Sequence, residues 1–156
     1  MQSSLVGKLE TNIEIKAAAS KFHEIFKHPH RISNISPNFV QSCELLQGQW
    51  GTEGSVIFWK YFLDGKHSVS KELMEVVDDK NKSLTFKVIE GDLLKHYKNF
   101  KFILKTTPKG SDQQGSVVQW TLEYEKPHNG IVDPHSMIQV LIKVSKDIDI
   151  HLINTP

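Results

Sequence analysis

Residues 9–16 alternate strictly: Leu9, Thr11, Ile13 and Ile15 share one side, and Glu10, Asn12, Glu14 and Lys16 the other. That period of two predicts a half-buried strand. From Ala17 to Lys27 the period lengthens, with Phe22, Ile25 and Phe26 at helical spacing. The pattern stops at His28-Pro29, as helices do before a proline. A second short helix fits Arg31 to Ser36 and closes at Pro37. Strand-like runs then follow at 39–48, 54–63, 66–77, 82–90, 96–107 and 115–126. Turn signals separate them at Gln47–Gly54, Asp64-Gly65, Asp78–Asn81, Glu90–Asp92 and Pro108–Gly115. Asp64-Gly65 is the clearest short hairpin turn. At the end, Met137, Ile138, Val140, Leu141, Val144, Ile148 and Leu152 gather into one apolar helical stripe, with Asp133 placed to cap it and Pro134 at its first turn. Gln139, Lys143, Lys146 and Asp147 lie away from that stripe, whereas Ser145 and His151 interrupt it. Strands in one block with helices at the ends predict an α+β fold: one mostly antiparallel sheet with a long C-terminal helix laid on it.

Each long strand has one aromatic-rich face. Ile57, Trp59, Tyr61 and Leu63 share a side, although Val56, Phe58 and Phe62 make the opposite side nearly as apolar. Leu84, Phe86 and Val88 alternate with Thr85 and Lys87, and Phe100, Phe102 and Leu104 with Asn99, Lys101 and Lys105. Val118, Trp120, Leu122 and Tyr124 alternate with Gln119, Thr121 and Glu123. Such a sheet closed by an amphipathic helix encloses either a filled core or a hollow for an apolar ligand, with Tyr61, Tyr124, Ser145 or His151 as orienting polar groups. Pattern alone leaves both open.

Composition narrows the classes. A chain of 156 residues fits one domain spanning 1–156 and large enough for a core without disulfides. The 19 basic and 18 acidic residues leave a formal charge of +1, which carries no footprint for nucleic acid or anionic membrane. Cys43 is the single cysteine, so no internal disulfide forms and a reducing compartment is expected. No apolar run is long enough for a signal peptide or a bilayer span, and a cytoplasmic protein without membrane insertion is the expectation.

"SSLVGKLETNIEI" at the start, "FKVIEGDLLKHYKNFKF" at 86–102 and "VVQWTLEYEKPHNGIVDPHSMIQVLIKVSKDIDIHL" at 117–152 resemble the plant major latex proteins, or ripening-related proteins. These belong to the birch-pollen-allergen superfamily with the class-ten pathogenesis-related proteins. The resemblance runs nearly end to end. It implies the helix-grip fold, a seven-stranded curved antiparallel sheet around a long C-terminal helix, with two short helices at one end and a large internal cavity. It also implies binding of a hydrophobic small molecule (steroid, flavonoid, cytokinin or fatty acid), by a monomer without cofactor, in defence or stress responses. Carried over by position, the ligand-binding residues would be Trp59, Tyr61, Phe86, Phe100, Phe102, Trp120 and Tyr124 from the sheet. Phe22 would join from the first helix, and Met137, Leu141, Val144 and Ile148 from the last.

Other motifs carry less. The family's glycine-rich loop is likened to a phosphate loop, but Gly48-Gln49-Trp50-Gly51-Thr52-Glu53-Gly54 lacks paired glycines, a following lysine and a following helix. A strand connection is the expectation. Glu90, Asp92, Lys95, His96 and Lys98 crowd one turn and could supply the acid–base pair of a ribonuclease, although an exposed charged turn is the favoured expectation. His23, His28 and His30 have spacings that do not converge on one helix face, so no metal site is expected. Cavity enzymes occur among the relatives, and Lys71, Lys98, Tyr61, Tyr124 and His151 are the candidates for cyclase or isomerase chemistry. No catalytic set assembles from them. Carriage or sensing of a hydrophobic metabolite, hormone or lipid-like molecule is the leading expectation.

Overall fold

In the computed structural model, which describes residues 5–110 and 115–155, seven antiparallel strands form one sheet in the order β1-β7-β6-β5-β4-β3-β2. The strands are β1 Val6–Ile15, β2 Val40–Gln47, β3 Val56–Leu63, β4 Lys66–Asp78, β5 Ser83–Gly91, β6 Asn99–Pro108 and β7 Ser116–Glu125. All six expected strand blocks after the first helices are present. The turn expected at Pro108–Gly115 lies partly outside the described residues. The alternation read from residues 9–16 is kept: Ile13 and Ile15 are buried, and Glu10, Asn12 and Glu14 are exposed.

Helix α1, Ala19–Lys27, ends where Pro29 begins a 3-10 turn, Pro29–Arg31, and this runs into α2, Ile32–Ile35. Together they carry the chain from edge strand β1 to the opposite edge strand β2. Register shifts between Val40 and Ser42, Leu45 and Gln47, Lys71 and Glu72, and Met74 and Val76 mark irregularities in β2, β4 and β5. Each such bulge bends its strand and deepens local twist, which lets the sheet curl.

Helix α3, His135–Ile153, lies in the curl with Met137, Ile138, Leu141, Val144, Ser145 and Ile148 buried. Polar bonds hold it there. The buried Trp120 indole donates to Ser145 Oγ at 2.9 Å. The Asp149 carboxylate accepts from the backbone N–H groups of Lys16 and Ala17, the latter at 2.8 Å. Ser36 donates to Asp147 at 2.6 Å. Asp133 does not cap α3, whose start at His135 has no side-chain cap; its carboxylate instead accepts from the Tyr124 hydroxyl at 2.6 Å and pairs with Lys126.

The Gln47–Gly54 connection is a strand-to-strand turn. Gly48, Gly51 and Gly54 all have positive φ, between 76° and 88°, where an L side chain is strained. Gly54 N–H donates to the Met74 carbonyl at 2.9 Å, and Glu53 accepts from Val77 N–H at 3.0 Å, so the turn is fastened to β4. Trp50 stacks on His30 with ring centres 4.4 Å apart, which joins the turn to the helical segment.

Gly91 closes β5 with φ 130° and ψ −172°, a region that only glycine occupies without strain. Its backbone also abuts the Val69 carbonyl and Ser70 Cα, leaving no room for a β-carbon. Gly91→Ala is expected to lower stability by about 1–3 kcal/mol in urea denaturation. An unchanged midpoint would contradict the close approach.

Candidate functional site

Strands β3 and β4 pair so that Ile57 faces Glu72, Trp59 faces Ser70 and Tyr61 faces Ser68. On β4 the inward set is Ser68, Ser70, Glu72 and Met74, all buried. A strand whose inner face runs Ser-Ser-Glu-Met places a carboxyl group against an aromatic wall. The register shift beside Glu72, where Ile89 of β5 is the extra residue, is the kind of irregularity that re-aims a side chain.

Around this face lies an apolar hollow. Trp59, Tyr61, Phe86, Phe102 and Trp120 line it from the sheet, and Met137, Val140, Leu141 and Val144 from α3. Phe26, Ile32 and Val40 close the helical end, and Ser70 and Glu72 supply its polar spot. About 70 Å3 remains in which the centre of a water-sized sphere can sit. The large cavity that the resemblance implies is thus reduced to a modest hollow, because aromatic rings fill much of the space inside the sheet. A second, more polar depression sits between the β3–β4 turn and α3, lined in part by Phe39, Phe62, Asp64 and Lys143. Val140 borders both.

Eight of the twelve residues singled out from sequence lie on this wall: Trp59, Tyr61, Phe86, Phe102, Trp120, Met137, Leu141 and Val144. The other four pack beside it. Phe22 meets Phe26, Phe100 stacks with Tyr124 at 5.9 Å between ring centres, and Ile148 is fully buried on α3. The orienting groups sort differently. Trp120 and Ser145 are bonded to each other, and Tyr124 to Asp133, so none of these offers a free polar atom. Of the enzyme candidates, Lys71 and Lys98 form surface ion pairs with Glu90 and Glu125, both at 3.7 Å. They do not meet Tyr61. The charged turn at Glu90–Lys98 points its carboxylates at structural partners, Asp92 accepting from Val69 N–H at 2.7 Å and from Lys95. His23 bonds Asp79 at 2.8 Å while His30 stacks on Trp50, and no cluster of metal-ligating side chains occurs among the described residues.

Sequence reading missed Glu72. Burial without a cation pushes its pKa up from 4.5 to about 7. The Ser70 hydroxyl, donating at 2.7 Å, and the nearby Trp59 indole restrain that rise. Desolvation, with Glu72 adding a smaller effect, likewise holds the Tyr61 hydroxyl and the Cys43 thiol well above their usual values, so both stay neutral. The signal was present in "HSVSKELMEV": Ser68, Ser70, Glu72 and Met74 share one parity, but Val69, Lys71 and Leu73 make the other parity look equally fit for burial.

Two outcomes follow from these acidities. Between pH 4.5 and about 7 the unfolded chain ionises Glu72 while the folded one resists, so this group's contribution to stability falls as pH rises through that window. Glu72→Gln is expected to stabilise the fold by roughly 1–3 kcal/mol at about pH 8 and by little at about pH 4; a gain independent of pH would contradict a raised pKa. Cys43 is 6% exposed, and Ellman's reagent is expected to label it about a hundredfold more slowly in the folded protein than in urea. Equal rates would place the thiol at the surface.

Comparison with known proteins agrees with this architecture. The model of the "Pathogenesis-related protein Bet v 1 family" matches residues 4–155. MLP-like protein 43 of Arabidopsis thaliana is 48% identical over 152 residues, covering 97% of this chain and 96% of that protein. MLP-like protein 28 of the same plant is 49% identical, and there the chain spans 45% of the relative's length. The crystal structure of ginseng major latex-like protein 151 from Panax ginseng superposes with a TM-score of 0.91 at 37% identity, covering 96% of this chain and 99% of that one.

Proposed function

The chain belongs to the plant major latex proteins of the pathogenesis-related protein Bet v 1 family, and from that premise we propose that it binds an apolar small molecule between sheet and α3. Carriage or sensing of a metabolite, hormone or lipid-like compound is the role this supports, in the defence or stress setting that the family description suggests. The observation that carries the reading is the composition of the hollow. Its wall is aromatic and aliphatic on every side except at Ser70 and Glu72. Such a space excludes water poorly solvated by its lining and accepts apolar surface, with few polar groups to orient the guest. Burying ~300 Å2 of ligand surface at ~25 cal/mol per Å2 contributes about 7 kcal/mol before association costs, which corresponds to affinities in the micromolar range or weaker. No helix among the described residues is long and apolar enough to cross a membrane, which fits a protein that carries its ligand rather than sits in lipid.

Leu141 faces the hollow from α3, so bulk added there competes with a guest. Leu141→Trp is expected to weaken binding of a naphthalene-sized fluorescent probe about tenfold or more, while Leu141→Ala, which enlarges the space, retains it. Unchanged probe affinity in a folded Leu141→Trp variant would place the binding site elsewhere. Mass spectrometry of the recovered probe checks a second reading, acid–base turnover by Glu72: a chemically altered molecule would favour an enzyme.

A further inference from the structure

Asn129 is the one asparagine of this chain that precedes a glycine; Asn12, Asn34, Asn38, Asn81, Asn99 and Asn154 all precede residues with a side chain. His128, Asn129 and Gly130 are exposed, in a turn of the connector between β7 and α3 where Ile131 N–H donates to the His128 carbonyl at 3.4 Å. Two contacts set this turn apart. The Gly130 N–H donates to Nδ1 of the His128 imidazole at 3.1 Å. The Asn129 carboxamide has no hydrogen-bond partner among the described residues, whereas those of Asn81 and Asn99 donate to Asp78 and Glu125 at 2.9 and 3.2 Å. Glycine is what admits the imidazole, because a β-carbon at 130 would lie 3.0 Å from both Nδ1 and Cε1 of His128.

A peptide nitrogen is a poor nucleophile while it keeps its proton, because resonance draws its lone pair into the C–N bond. A base seated on the N–H removes that obstacle, and neutral imidazole accepting through Nδ1 is such a base. The electrophile is next to it in the chain: the unheld Asn129 carboxamide can swing its Cγ onto Gly130 N, and no side chain at 130 obstructs the approach. We propose that Asn129-Gly130 is a self-modifying site, at which His128 is the base for intramolecular conversion of Asn129 to aspartate and isoaspartate.

Gly130 N passes its proton to His128 Nδ1 and bonds to Asn129 Cγ. The side-chain nitrogen of Asn129 takes the proton back from the imidazolium and leaves as ammonia, and a succinimide ring remains. Water then opens that ring at either carbonyl. Cleavage of the bond between Gly130 N and Cγ gives aspartate in the ordinary backbone. Cleavage between Gly130 N and the main-chain carbonyl carbon gives isoaspartate, which routes the backbone through the former side chain and lengthens it by a methylene. Either product puts a new carboxylate on the segment between Lys126 and Asp133, which pair at 3.2 Å just ahead of α3. The Tyr97 hydroxyl holds the same segment at the Val132 carbonyl, 2.6 Å away, so the modification falls on the connector that places the start of the helix.

The test ages the whole protein at neutral pH, folded and in urea, and follows residue 129 by peptide mass spectrometry that separates asparaginyl, aspartyl and isoaspartyl forms. Both acidic forms are expected to accumulate at 129 while the other asparagines stay intact. Conversion should run faster in the folded protein than in urea, where nothing keeps the imidazole on the Gly130 N–H. His128→Phe, which keeps a flat ring on an exposed turn and removes the base, is expected to slow conversion in the folded protein about tenfold or more. Equal rates in His128→Phe and the unaltered protein would overturn the role of His128. Aspartate formed without isoaspartate would mean direct hydrolysis of the side chain and overturn the ring closure. Conversion slower in the folded protein than in urea would overturn the site, since the fold would then protect Asn129 instead of activating it.

Discussion

Everything inside this protein depends on how the sheet grips α3. Seven strands curl around one amphipathic helix, and the helix is fixed by directional bonds as well as by apolar contact. Trp120 to Ser145 secures its middle inside the core, and Asp149 secures its C-terminal half to the chain leaving β1. Tyr124 anchors Asp133 just ahead of its first turn. Buried bonds of this type are costly to leave half made, so they specify one position for the helix rather than a family of sliding ones. The distance between α3 and strands β3 and β4 is set in this way, and with it the hollow between them.

That geometry leaves Glu72 in an awkward place. A carboxyl group on the inner face of a sheet, opposite an apolar helix and without a cation, opposes folding at neutral pH. Nothing in the packing of the core requires it, since Met74 occupies the next inward position with full burial. Gly91 adds to the cost nearby, because its glycine-only backbone lets β5 close against Ser70, whose hydroxyl supports Glu72. Features that lower stability while sharpening the chemistry of a hollow are characteristic of binding sites.

The architecture was legible in the sequence because period and turn chemistry are local. Strict alternation around Ile13 and Ile15, the Asp64-Gly65 turn and the long stripe from Met137 to Ile148 each identify an element without outside information. The aromatic lining was legible for the same reason: Trp59, Phe86, Phe102 and Trp120 sit at the right parity on their strands. The polar chemistry was not. Whether the indole of Trp120 faces a guest or a serine depends on where α3 settles, 25 residues away in sequence. Asp133 reads as a helix cap until Tyr124 is seen to reach it. Glu72 went unread because the two faces of β4 are of similar polarity, and only pairing with Ile57 in β3 and the irregularity at β5 decide which way it turns.

The central claim, that an apolar guest lodges between α3 and the β3–β4 face, is tested most directly by methyl-resolved NMR of the protein titrated with 2-naphthalenemethanol. Intermolecular nuclear Overhauser effects from the naphthyl protons to the methyl groups of Met137, Leu141 and Val144 are the predicted result, because these side chains line the hollow opposite Glu72. Effects confined to Val140 and the protons of Phe39 and Phe62, in the outer depression, would contradict it.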